Sequence, residues 1–178
     1  MASAQEDWPV TRFGWLTAIC GGVFLVSVPL LPQRAPKVVW NASASVPIGL
    51  YGVTPVDAPH IGELVLVRPP AAIAAFLERR GYLAMGVPLL KHIRALPGQS
   101  VCRIDRTITV DGMNVGHALD GDHLGRTLPR WNGCRIIAQD EVFLMNWQSE
   151  HSFDGRYFGP LPATAILGRA KPLWIKDN

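Results

Sequence analysis

The chain has 178 residues, about one domain's worth and long enough to bury a core. It is 48% hydrophobic and 17% charged, with 15 Pro and 17 Gly, a turn-rich composition that favours short strands over a helical bundle. The net charge is +3, but its 17 Lys and Arg are scattered with no basic run, so no nucleic acid is expected as a partner.

From Gly14 to Pro32, "GWLTAICGGVFLVSVPLLP", no residue is charged. As a helix this stretch spans about 28 Å, close to the ~30 Å of a bilayer's hydrocarbon core. A buried core helix would need a polar outer face, and a cleaved signal peptide would need a small-residue cleavage site after the run. Neither is present, and the preferred reading is a retained anchor over residues 14–32 behind a short tail, 1–13, with the lipid bilayer as partner. Trp8 and Trp15 suit an interfacial position. Arg12 is offset by Glu6 and Asp7 on one side while Arg34 and Lys37 follow on the other, so charge alone does not orient the anchor.

Cys20 lies within the apolar run and reads as a small buried residue. Cys102 and Cys134 are too far apart for a C-x-x-C motif; in an oxidising compartment they are a disulfide candidate, and otherwise two buried thiols.

Beyond the anchor, "GELVLVRPP" (62–70) predicts a strand ended by prolines, and "AAIAAFLERRGY" (71–82) predicts a helix stopped at Gly81. Residues 88–104 read as β-prone pieces broken by Pro97-Gly98. "TITVDGMNV" (107–115) predicts a hairpin turning at Asp111-Gly112. "EVFLMNW" (141–147) and "AILGRA" (165–170) predict strands around a turn-rich "SFDGRYFGPLP" (152–162).

"NASASVPIGLY" (41–51) holds a candidate nucleophile, Ser45, in a segment stiffened by Pro47. A serine hydroxyl needs a base. One arrangement pairs Ser45 with His151 and Asp154; nothing in the spacing requires it, and a His in a polar turn is more often solvated. The other base is Lys91 in "VPLLKHIRALPG". On a strand Leu89, Lys91 and Ile93 share a face, and a Lys held among apolar groups loses its preference for the charged form. The commoner fate of such a Lys is to snorkel to water. Spacing alone leaves both bases open.

Four blocks resemble those of bacterial type I signal (leader) peptidases, in the family's order and behind an N-terminal anchor. "SASVP" resembles the nucleophile block, "GELVLV" the strand block that follows, "KHIRALPGQ" the Lys-containing block and "SFDGRYFG" the last block. "NASASVPIGLY", "RGYL…PLLK", "LPRW…GC" and "SFDGRYFGPLP" are closer still to one branch, the TraF-type conjugative transfer signal peptidases. Departures from ordinary leader peptidases are a shorter Ser45-to-Pro47 spacing, Asn146-Trp147-Gln148-Ser149 in place of G-D-N-R, and Gly155 where a Ser is usual.

The resemblance implies a mostly β fold of coiled antiparallel sheets, with one N-terminal transmembrane helix and a small inserted helix. It implies Ser45 as nucleophile and Lys91 as general base, with the Ser45 N–H and the Ser43 hydroxyl as oxyanion donors. Ser152 would orient the Lys, Asp154 would support it, and Arg156 would pair with Asp154 or merely shape the loop with it. No cofactor or metal is implied. Residues 33–178 would lie on the periplasmic side of a bacterial inner membrane, which favours the Cys102–Cys134 disulfide. The expected substrate is a pilin precursor, processed with or without cyclisation and in partnership with the conjugative transfer apparatus, or else a signal-peptide-bearing protein with small residues at the cut. A self-cleaving Ser–Lys switch and a non-catalytic tethered β module are the readings from other classes.

Overall fold

A computed structural model describes residues 12–27 and 36–176. The chain divides into two compact units, residues 1–34 and 35–178. In the first, helix α1 runs Arg12–Ser27, and apolar residues fall all round it. Among the described residues no helix is long and apolar enough to cross a membrane. The expected anchor, 14–32, continues through residues that lie outside those described, as does most of the expected N-terminal tail.

The second unit is built on two antiparallel sheets. The first has seven strands in the order β1-β2-β11-β3-β4-β9-β10: β1 Val38–Asn41, β2 Gly49–Thr54, β3 Leu64–Val67, β4 Leu89–Ala95, β9 Glu141–Leu144, β10 Leu161–Pro162 and β11 Ile166–Ile175. The second has four, β7-β6-β5-β8, from β5 Ser100–Ile104, β6 Thr107–Val110, β7 Met113–His117 and β8 Gly133–Ile136. Helix α2, Ala71–Arg79, is the inserted helix; the chain leaves it through Gly81 at φ 68°. The expected mostly β architecture with few helices is therefore present.

Local chemistry sets the turn between β6 and β7. Asp111 and Gly112 both take positive φ, 49° and 78°, which matches the tight hairpin turn the Asp-Gly pair predicts between β6 and β7. Two strands differ from expectation. β9 ends at Leu144 instead of Trp147, because the chain from Asn146 onward turns away to form the last block. β11 runs on through Pro172 to Ile175, with a register shift between Pro172 and Trp174 where the missing proline N–H interrupts the ladder. Gly49 is a strand residue, not a turn glycine: a Cβ there would collide with the Trp174 carbonyl oxygen as β11 passes.

The core has three parts. Ala95, Val101, Ile108, Val110, Ile137, Phe143 and Met145 join the two sheets. Val65, Val67, Ile93, Val142, Leu144 and Leu161 fill one side of the large sheet, with Ile73 of α2 packed against them. Val46, Tyr51, Leu66, Leu90 and Ala170 form a third cluster directly beneath residues 43–47. β4 contributes to all three, through Ala95, Ile93 and Leu90.

Cys102 of β5 lies opposite Cys134 of β8, and the two are joined by a disulfide. The bond closes 32 residues of sequence, a loop whose constraint on the unfolded chain is worth up to about 4 kcal/mol. Replacing both cysteines by serine is expected to lower the unfolding free energy by roughly 2–4 kcal/mol, measured by urea titration of the oxidised wild type against the double variant.

Candidate active site

The first wall of the site is the turn after β1. Asn41 ends that strand with its side chain directed back under the turn. Its Nδ2 donates to the carbonyls of Ser43 (2.8 Å), Val46 (3.1 Å) and Pro47 (3.0 Å), and its Oδ1 accepts from the Ser43 N–H (3.1 Å). The Tyr51 hydroxyl donates to the Pro47 carbonyl at 2.7 Å, and Val46 is buried in the core. Ser45, next to Val46, is therefore held at a defined place while remaining half-buried and open to the cleft. The Ser43 hydroxyl donates to Ser45 Oγ at 3.2 Å and accepts from the Ser45 N–H at 3.3 Å. The two expected oxyanion donors are thus paired with each other here.

The second wall is β4. Lys91 lies opposite Val65 of β3 and is only 3% exposed. It does not snorkel to water. Its Nζ donates to Ser152 Oγ at 2.6 Å. Burial lowers its pKa from the ordinary 10.5 to about 8; Asp154 pulls the other way and Arg156 adds to the lowering. Ser43, Ser45, Lys91 and Ser152 all line one cleft of about 720 Å³, with Leu77, Leu128 and Phe153 among its other walls.

The third wall is the last block. Asp154 caps the short helix α3, Gly155–Phe158, accepting the Arg156 N–H at 3.2 Å. Its carboxylate is fully buried and also accepts from Arg156 Nε and Nη2, both at 2.9 Å, and from the Asn146 N–H at 3.0 Å. Arg156 Nη2 donates further to the Ser149 (2.7 Å) and Ser152 (3.0 Å) carbonyls, so the pair ties the whole block around Ser152. Asp154 makes no hydrogen bond to Lys91 or His151. The Ser45–His151–Asp154 arrangement is not assembled: His151 lines the cleft, but the carboxylate that would orient it is occupied by Arg156 and Asn146.

Several contributors escaped sequence reasoning. Asn41 carries no assigned role in the sequence reading, although Asn two residues before a Ser is the pattern of a side chain that bonds its own turn. Buried Arg103, outside every quoted motif, reaches the Arg156 carbonyl; Trp131, the last residue of "LPRW", donates from Nε1 to the Gly155 carbonyl at 2.9 Å, a role its motif did not reveal, and both hold α3. Gly155 has a steric cause. A Cβ there would lie 2.6 Å from both the Leu144 carbonyl oxygen and the Phe143 ring, and the carbonyl belongs to a strand that cannot give way.

Lys91 is thus a buried lysine bonded to Ser152, in one cleft with Ser45 on its fixed turn. Residues 10–175 match the model of the family "Signal peptidase, peptidase S26", and the chain belongs to that family. Within it the chain stands with the TraF-type transfer proteins. It is 38% identical over 141 residues to a probable conjugal transfer protein TraF of Sinorhizobium fredii, covering 74% of this chain and 73% of that one. It is 37% identical over 149 residues to a conjugal transfer protein TraF of Agrobacterium fabrum, covering 77% and 82%. To a plasmid transfer protein TraF of Escherichia coli it is 33% identical over 178 residues, covering 92% and 98%.

Restoring the serine usual in ordinary leader peptidases is expected to harm this chain. Gly155→Ser should lower the unfolding free energy by roughly 1–3 kcal/mol through overpacking against Leu144 and Phe143, read from the denaturation midpoint. A neutral effect would mean that the last block is free to shift.

Proposed function

We propose that the chain is a membrane-anchored serine endopeptidase that uses a Ser45–Lys91 dyad to process a conjugative pilin precursor. One observation carries the reading: Lys91 is buried at a cleft shared with Ser45, with its pKa brought down to about 8, close enough to neutrality for the free amine to be reached. The TraF relatives supply the connection to conjugal transfer, and the apolar run at 14–32 supplies the anchor, with the peptidase domain on the periplasmic side of the inner membrane.

In the proposed reaction neutral Lys91 takes the proton of Ser45 Oγ as that oxygen attacks the scissile carbonyl. The Ser43 hydroxyl rotates from Ser45 onto the developing oxyanion, a turn about one single bond of an exposed side chain, and the Ser45 N–H follows. Collapse of the intermediate breaks the C–N bond, and Lys91 returns the proton to the leaving amine. The acyl-enzyme is then resolved by water, giving a trimmed peptide, or by the peptide's own N-terminal amine, giving a cyclic one. Ser152 keeps the Lys91 amine in place, and Asp154 with Arg156 holds Ser152. The extended substrate adds to a strand edge along the cleft. The transfer apparatus would be the partner that receives the product.

Ser45→Ala and Lys91→Ala are each expected to abolish processing of a co-expressed pilin precursor, read by mass spectrometry of the pilin. A product lighter by one water than the trimmed linear form reports cyclisation. Cleavage of signal-peptide-bearing preproteins with the pilin left untouched would instead favour a general signal peptidase. In the wild type kcat/KM should rise with pH to an inflection near 8, because protonated Lys91 cannot accept the serine proton. A rate independent of pH between about 6 and 9 would remove Lys91 as the base.

A further inference from the structure

β9 pairs with β4 at Leu144–Ile93 and Phe143–Ala95, and the Met145 N–H still reaches the His92 carbonyl at 2.9 Å. One residue later the chain leaves the sheet for the last block. Two β4 groups then face the space where a strand would have continued, the Leu90 carbonyl and the His92 N–H, which flank Lys91 in sequence. The Asn146 side chain meets both. Its Nδ2 donates to the Leu90 carbonyl at 3.1 Å and its Oδ1 accepts the His92 N–H at 3.0 Å, and only one orientation of the amide satisfies the two together. Oδ1 also accepts from His92 Nδ1, at 3.0 Å. The Asn146 main chain faces the other way: its N–H donates to Asp154 Oδ2 at 3.0 Å and its carbonyl accepts from Arg156 Nη2 at 3.5 Å. Asn146 is fully buried, so none of these groups has water as an alternative.

We propose that Asn146 is a positioning residue for Lys91, its side-chain amide standing in for the departed strand on both sides of the lysine while its main chain grips the Asp154–Arg156 pair. The substitution lets β9 end early, which brings Ser152 within reach of Lys91 without leaving β4 unpaired. It also keeps water out from beside the lysine. The proposal rests on the reading of Lys91 as the base and adds the residue that holds it there. The charged and titratable groups around Lys91 are Asp154 and Arg156 of the last block, His92 on its own strand, and Tyr82, Asp122, His123, His151 and Tyr157 on the cleft wall. All are retained in the variants below.

The test is competitive acetylation of the full-length chain by acetic anhydride across a pH series, with Lys91 quantified by mass spectrometry against exposed Lys171. In the wild type Lys91 should reach half its limiting reactivity near pH 8. In Asn146→Ala water enters beside the amine. In Asn146→Asp the Leu90 carbonyl faces an oxygen and a negative charge is added. Both changes favour the ammonium, so the midpoint should move up by about one pH unit or more in each. A role in folding alone would leave the folded fraction's midpoint where it was, so a midpoint unchanged in both variants overturns the proposal and leaves Lys91 as base. A wild-type midpoint at the ordinary lysine value overturns that reading and the proposal together. Hydrogen exchange of the wild type needs no variant: the His92 amide should be protected like the paired amide of Ile93, and exchange as fast as an exposed loop amide contradicts the proposal.

Discussion

Keeping the Lys91 amine away from water is the constraint on which the rest of the site depends. Lowering its pKa from 10.5 to about 8 means that the folded chain gives up about 3 kcal/mol at neutral pH relative to a freely solvated lysine. That is a substantial share of the roughly 5–15 kcal/mol by which folded domains are stable. The cost is carried by β4, the strand whose residues enter all three parts of the core. A strand held by less would let the lysine out to solvent, where it would keep its ordinary pKa.

The other features follow from supporting that buried amine. Ser152 accepts its hydrogen bond, and Asp154 with Arg156 fixes the chain that carries Ser152. Asp154 sits near enough to act on the lysine electrostatically, but its lone pairs are committed to Arg156, Asn146 and the α3 cap. Its attraction for the ammonium is therefore opposed by the guanidinium beside it, and burial dominates. Opposite, Asn41 and Val46 hold the Ser45 turn from below without covering the hydroxyl. The site is a soft spot in energy terms set within a stiff frame, the usual relation between a functional group and its scaffold.

Much of this was legible in the amino-acid sequence, for identifiable reasons. The β6–β7 hairpin is encoded locally by Asp111-Gly112, α2 by an Ala-rich stretch ending at Gly81, and the face shared by Leu89, Lys91 and Ile93 by strand periodicity. The four family-like blocks brought Ser43, Ser45, Lys91, Ser152, Asp154 and Arg156 forward as candidates, and all but Asp154 and Arg156 line the cleft, those two standing behind Ser152. What was not legible depends on partners distant in the chain. Asn146 looks like a polar residue ending a strand, and its work is visible only once Leu90 and His92 lie across from it. Gly155 looks like a lost serine until the Leu144 carbonyl is seen against it. The extension of β11 past Pro172 is set by pairing with β2, not by its own β-propensity.

The most direct test of the buried-amine account is the stability of Lys91→Met relative to wild type as a function of pH. Methionine fills the same space without an ionisable group. In the wild type the unfolded chain binds a proton at Lys91 that the folded chain has lost between about pH 8 and 10.5, so wild-type stability should rise with pH across that window. The account predicts that Lys91→Met is the more stable protein at pH 7, by up to about 3 kcal/mol, and that this advantage shrinks steadily above pH 8. A wild type that is the more stable of the two at pH 7, or a difference that does not change with pH, would contradict it.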